Sequence, residues 1–84
     1  MDVIWQTKAI KQLKKIGDCS IQERIMTASR SLSEFPVCSN VKRLTDYKPT
    51  FRLRVCNWRV FFNVFEEIGI ISIEEVKKRD ENTY

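Results

Sequence analysis

The stretch FRLRVCNWRVFF, residues 51–62, constrains this chain more than any other. Two runs of alternating side chains flank Cys56–Asn57, the spacing of a hairpin with a two-residue turn. In that register Val55 pairs with Trp58, Arg54 with Arg59, Leu53 with Val60, Arg52 with Phe61, and Phe51 with Phe62. Residues paired across an antiparallel ladder share a sheet face. One face therefore carries Phe51, Leu53, Val55, Trp58, Val60, Phe62 and Val64, and the other carries Arg52, Arg54, Arg59, Phe61 and Asn63. A slip of one residue would turn all three arginines into the core.

The segments before the hairpin can cover its apolar face. DVIW is a short β-prone opening, expected as an edge strand. TKAIKQLKKIG follows, with Thr7 as a candidate cap; Ala9 or Ile10, Leu13 and Ile16 recur at helical spacing, and Gly17 is placed to stop the helix. DCSIQERIMTASRSLSEFP predicts a second, longer helix, with Ser20 and Glu23 as a capping box and Pro36 as its end. Its stripe is Ile21, Ile25, Ala28, Leu32 and Phe35. After it come a strand around Val41–Leu44, a loop holding Tyr47 and Pro49, the hairpin, and the alternating segment GIISIEEV. Alternation there puts Ile71 and Ile73 on the core face, and Ser72, Glu74 and Val76 with the arginines. The order is βααββββ: an α+β fold, with a short N-terminal strand and a two-helix antiparallel hairpin packed on one face of an antiparallel four-to-five-stranded sheet.

Eighty-four residues at 43% hydrophobic content suit one packed domain spanning 1–84 and leave no room for a large enclosed cofactor cavity. No apolar run approaches the ~20 residues of a bilayer span, and no basic-then-apolar leader opens the chain, so a cytosolic location is expected, with no membrane partner. Cys19, Cys38 and Cys56 lack CxxC spacing and the chain has no histidine, which argues against a disulfide framework and a zinc site. Without histidine, acid–base chemistry falls to Lys, Arg, Tyr, Asp or Glu. The net charge of +4 is a mild bias toward polyanions.

The arginine face sharpens that bias. Arg54 and Arg59, directly opposite, repel by up to ~1 kcal/mol, a cost that an anion on the face would offset; Glu74 is the nearest candidate to neutralise them. A solvated face that blunts sheet pairing is the plainer alternative. KKRDENTY, residues 77–84, brings a second basic segment toward the same side, and Phe61 adds an aromatic surface. Cations converging around an exposed ring are the makings of a phosphate- and base-binding site. The lysine face of the first helix, with Lys8, Lys11, Lys14 and Lys15, suits either an RNA grip or plain solvation.

In combination, KAIKQLKKI, VKRLTD, FRLRVCNWRVFF and ISIEEVKKRDENTY resemble the RelE/ParE toxin superfamily, over nearly the whole chain. The Lys-Arg…Tyr ending resembles the RelE-type messenger-RNA endonucleases more than the ParE gyrase inhibitors. The resemblance implies a toxin of a type II toxin–antitoxin system that enters the A site of the 70S ribosome. There it would cut messenger RNA through the RNA's own 2′-hydroxyl, with no metal and no small-molecule cofactor. It implies a cognate antitoxin as protein partner. Carried over by position, Arg59 and Arg79 would fork onto the scissile phosphate, Tyr84 would stack on a base or orient the 2′-hydroxyl, and Arg52 and Arg54 would supply positive potential. Lys77, Lys78, Phe61, Lys11, Lys14 and Lys15 would contact RNA. Some family members have lysine where this chain has Arg52 and Arg54. Arginine is a poor general base, so that role stays open among Lys77, Lys78, Glu74, Glu81, Tyr84 and solvent. A ParE-like inhibitor acting by protein binding, and a relative that binds RNA without cutting it, share this fold and remain alternatives.

Overall fold

The hairpin forms in the register its alternation demands. In the computed structural model, which describes residues 1–44 and 50–78, β3 (Phe51–Val55) and β4 (Trp58–Phe65) pair at all five expected rungs. Cys56 opens the two-residue turn at φ 53°, the left-handed backbone such a tight reversal requires. Around the hairpin the sheet orders as β1-β5-β4-β3-β2, where β1 is Asp2–Trp5, β2 is Val41–Arg43 and β5 is Ile70–Lys78. β1 lies at the edge as expected, but pairs parallel with β5, the single parallel pairing among the described strands, where an antiparallel sheet was expected.

Helices α1 (Thr7–Lys14) and α2 (Cys19–Arg30) cover the apolar face. Ala9, Ile16, Ile25 and Leu32 are buried with Leu53, Val55, Val60, Phe62, Ile71 and Ile73 in one core cluster. Of the two candidates on α1, Ala9 takes the core position, and Ile10 stays exposed. Phe62 stacks on Phe51 at 5.5 Å between ring centroids, and Phe35 meets Phe51 edge-on at 5.2 Å. Two glutamines stitch the helices down. Gln22 Nε2 donates to the carbonyls of Leu13 and Ile16, capping the end of α1, and Gln12 Oε1 accepts from the Val76 amide on the edge of β5.

Several local expectations are corrected. α1 has Gln6, not Thr7, at its N-cap, with no side-chain cap bond. α2 is capped by Asp18, whose carboxylate accepts from the Ser20 and Ile21 amides, so Ser20 and Glu23 do not form the box. Asp18 displaces Ser20 because a carboxylate adds favourable charge at the positive end of the helix. The α-helix stops at Arg30, and a 3-10 turn, Ser31–Glu34, carries Leu32 into the core before Pro36. A second 3-10 turn, Glu66–Ile68, joins β4 to β5 and ends on Gly69 at φ 65°. Among the described residues no helix is long and apolar enough to cross a membrane. The loop residues Tyr47 and Pro49, and Arg79, Glu81 and Tyr84, lie outside the described residues.

The cap assignment has a direct check. Asp18→Ala should lower stability by ~1 kcal/mol in urea denaturation, whereas Ser20→Ala should change it by no more than a few tenths.

Candidate nucleic-acid interface

The face of the sheet away from the helices is built rung by rung. Lys42, Arg52, Phe61 and Glu75 stand in one row across β2, β3, β4 and β5. Arg54, Arg59 and Lys77 stand in the next. Neighbouring strands are ~4.8 Å apart, so cations repeat along these rows at a spacing no apolar core would accept. Five cations therefore share the face, three of them the arginines marked by the alternation of the sequence and one, Lys77, from the second basic segment, together with the half-buried ring of Phe61. Arg54 is exposed, and the Arg52 Nε is buried with no hydrogen-bond partner among the described residues. Lys77 Nζ lies 6.0 Å from the Phe61 ring centroid, in reach of a cation–π contact.

The Glu75 carboxylate sits within this field. Glu75 binds Lys8 through Oε1, and Lys77 Nζ lies 3.5 Å from Oε2. The hydrogen bond from Lys8 first, and the charge of Lys77 after it, hold the Glu75 carboxyl below the usual glutamate range against the opposing effect of burial. Because the folded pKa lies below the unfolded one, ionised Glu75 contributes stability above the ordinary glutamate value. That contribution is lost as pH falls through the lowered folded value.

Glu75 was not among the expected site residues. Phe61 pairs with Glu75 and Phe62 with Ile73, which leaves Glu74 as an extra residue in β5. This β-bulge corrects two placements. Val76, expected beside the arginines, is 3% exposed in the core opposite Val60. Glu74, expected to neutralise the arginine pair, accepts instead from the Ser72 hydroxyl, which in turn accepts from Gln6 Nε2. Lys8 departs from the lysine face of α1 by reaching Glu75, and Lys11, Lys14 and Lys15 stay exposed. Lys78 pairs with Trp58, which puts it on the helix side of the sheet, away from Lys77. Arg79 and Tyr84 lie outside the described residues, so the structure brings together Arg52, Arg54, Arg59, Phe61 and Lys77 alone of the expected set. Lys42 was missed because nothing in the loop after it specifies its register.

The three cysteines are free, and burial pushes the Cys38 thiol up from its ordinary value. Arg24 Nη1 lies 3.2 Å from Cys56 Sγ at the hairpin turn.

The arrangement of helices and sheet is shared with solved RelE toxins. The archaeal RelE–RelB complex from Pyrococcus horikoshii OT3 superposes with a TM-score of 0.80 at 21% identity, covering 95% of this chain and 96% of that one. The RelBE2 toxin–antitoxin complex from Mycobacterium tuberculosis gives 0.78 at 22%, covering 93% and 96%. The isolated E. coli RelE toxin gives 0.78 at 16%, covering 95% and 85%. No curated protein sequence matches the chain. Residues 3–83 match the family described as "ParE toxin of type II toxin-antitoxin system, parDE". The chain belongs to that family, and is a type II toxin–antitoxin toxin of the RelE/ParE superfamily.

A face that keeps Arg54 opposite Arg59 trades stability for charge. Arg54→Thr should stabilise the chain by up to ~1 kcal/mol at low salt, by removing the like-charge rung. The gain should shrink as salt screens the face, and affinity for single-stranded RNA should fall, as thermal denaturation and a salt-series binding assay would record.

Proposed function

We propose that this toxin is a ribosome-dependent endoribonuclease of the RelE type, acting as a single domain over residues 1–84 in the cytosol. It enters the ribosomal A site and cuts the messenger RNA there. The observation that carries this reading is the row Arg54, Arg59 and Lys77 beside Phe61 on the open sheet face. Planar guanidinium groups match phosphate oxygens bidentately, and an aromatic ring accepts a splayed base. The nucleophile is the RNA's own 2′-hydroxyl, so the step calls on no metal or cofactor.

Arg59 and Arg79 bind the scissile phosphate and meet the charge that builds on its oxygens. Removing one such donor from a desolvated site typically lowers the rate about 10²–10³-fold. Arg52 and Arg54 add positive potential, and Tyr84 stacks on a base, an interaction of about 1–3 kcal/mol. Lys77 contacts the message; Lys11, Lys14, Lys15 and Lys78 contact ribosomal RNA. The partner outside the ribosome is a cognate antitoxin. Several of the similar solved structures are RelE toxins in complex with an antitoxin, and an acidic antitoxin segment suits a +4 chain.

A second reading rests on the family description, which names ParE. A ParE-like toxin would inhibit gyrase by protein binding, without chemistry, and would not depend on Arg79 or Tyr84. Primer extension on a reporter message after brief induction separates the two. The endonuclease reading expects discrete cuts in the reading frame that vanish with Arg79→Ala. Growth arrest with intact message would overturn it in favour of the binding toxin. No arrest at all would mean a chain that binds RNA without cutting it.

A further inference from the structure

The bulge in β5 has three effects at once. Without it, alternation from Ile73 would set Glu74 opposite Phe61, Glu75 opposite Val60 in the core, and Val76 opposite Arg59. With it, Val76 fills the core against Val60, Lys77 stands across from Arg59, and Glu75 emerges beside Phe61 on the basic face. Bulges commonly re-aim one side chain in this way next to active sites. A carboxylate in a phosphate-binding face weakens the field for its ligand, while its bonds to Lys8 and Lys77 contribute stability. A carboxylate so placed can also meet a donor of the ligand. The hydrogen-bond donor that accompanies every RNA phosphate, and that DNA lacks, is the 2′-hydroxyl.

We propose that Glu75 is the general base of the cleavage, an inference that rests on the endonuclease reading above. A phosphate held on the Arg59–Lys77 rung brings its own 2′-hydroxyl to the adjoining Phe61–Glu75 rung, ~7 Å further along the strands at most. The Glu75 carboxylate takes the 2′-hydroxyl proton. The O2′ electron pair attacks the adjacent phosphorus, and the bond from phosphorus to O5′ breaks. Solvent water protonates the departing O5′, leaving a 2′,3′-cyclic phosphate and a 5′-hydroxyl. Glu75 then returns its proton to the hydroxide so formed. On the described face Arg52, Arg54 and Arg59 stay charged, Lys77 is the cation placed to hold the phosphate, and Glu74 lies on the bulge bound to Ser72, which leaves Glu75 in the row beside the phosphate rung.

The charged groups facing Glu75 are Lys8 from α1, Arg59 from β4, and Lys77 and Glu74 from its own strand. Lys77 is 57% exposed in its side chain and 3.5 Å from Glu75, free to swing onto an arriving phosphate. Losing Lys77 to the phosphate removes one of the charges that hold the Glu75 pKa down, and so makes it a stronger base when the substrate is bound.

The test is single-turnover cleavage of a programmed message on purified 70S ribosomes across a pH series. The intact chain should lose rate on the acid side as Glu75 protonates. Glu75→Gln should cut about 10²–10⁴-fold more slowly and lose that acid limb, with ribosome binding changed only a few-fold. Lys8→Met should shift the limb to higher pH, because Glu75 loses the partner that lowers its pKa most. If Glu75→Gln fails to fold, the Lys8→Met profile decides: a shifted limb supports the base, and an unmoved one overturns it. An intact chain that cuts while Glu75→Gln cuts equally fast with the same profile overturns Glu75 alone. An intact chain that cuts at no pH overturns the endonuclease reading, and this role with it.

Discussion

Everything in this fold depends on the β3–β4 ladder keeping its parity. Its five rungs send Leu53, Val55, Val60 and Phe62 into the core and Arg52, Arg54 and Arg59 to the opposite face. The energies are lopsided. Full burial of a side chain such as Phe62 contributes ~1.5–3 kcal/mol, and a slipped register would forfeit that for each member of the core face. It would also take guanidinium groups out of water, at several kcal/mol each even after relaxation. Against this, the like-charge rung of Arg54 and Arg59 costs at most ~1 kcal/mol. The fold therefore holds a concentrated positive face at small expense, because the same alternation that makes the core makes the face.

The helices and the bulge follow from that division. Ala9, Ile16, Ile25 and Leu32 close over the apolar side, and Gln12 covers a β5 amide that β1 is too short to reach. On β5, the run Ile73-Glu74-Glu75-Val76 cannot satisfy strict alternation without burying a carboxylate. One unpaired residue resolves the conflict and delivers Glu75 to the cations, where Lys8 and Lys77 hold it. The face thus combines a carboxylate with a cluster of cations.

What was legible in the chain was whatever local alternation decides. All five hairpin rungs, the Ile71 and Ile73 core positions, and the stripe from Ile21 to Phe35 follow from spacing within a few residues. What escaped depends on distant partners. The parallel pairing of β1 with β5 joins the two ends of the chain and leaves no local trace. Lys42 gains its place opposite Arg52 only once β2 docks, and Lys8 finds Glu75 only after α1 lies along β5. The bulge carries no glycine or proline to announce it, so Glu74 was assigned the position that Glu75 holds. Asp18 outcompeted Ser20 as cap within two residues, the scale at which helix ends resist assignment. Arg79 and Tyr84 rest on resemblance alone.

On the proposed function, the cationic sheet face, and not the lysine face of α1, meets the message. Photo-crosslinking from benzoylphenylalanine in place of Phe61, in the complex with translating ribosomes, tests it most directly. A crosslink to messenger RNA at the A-site codon is expected, lost when Arg54 and Arg59 are both replaced by glutamine. A crosslink to a gyrase subunit, or a message crosslinked from position 11 or 14 but not from 61, would contradict it.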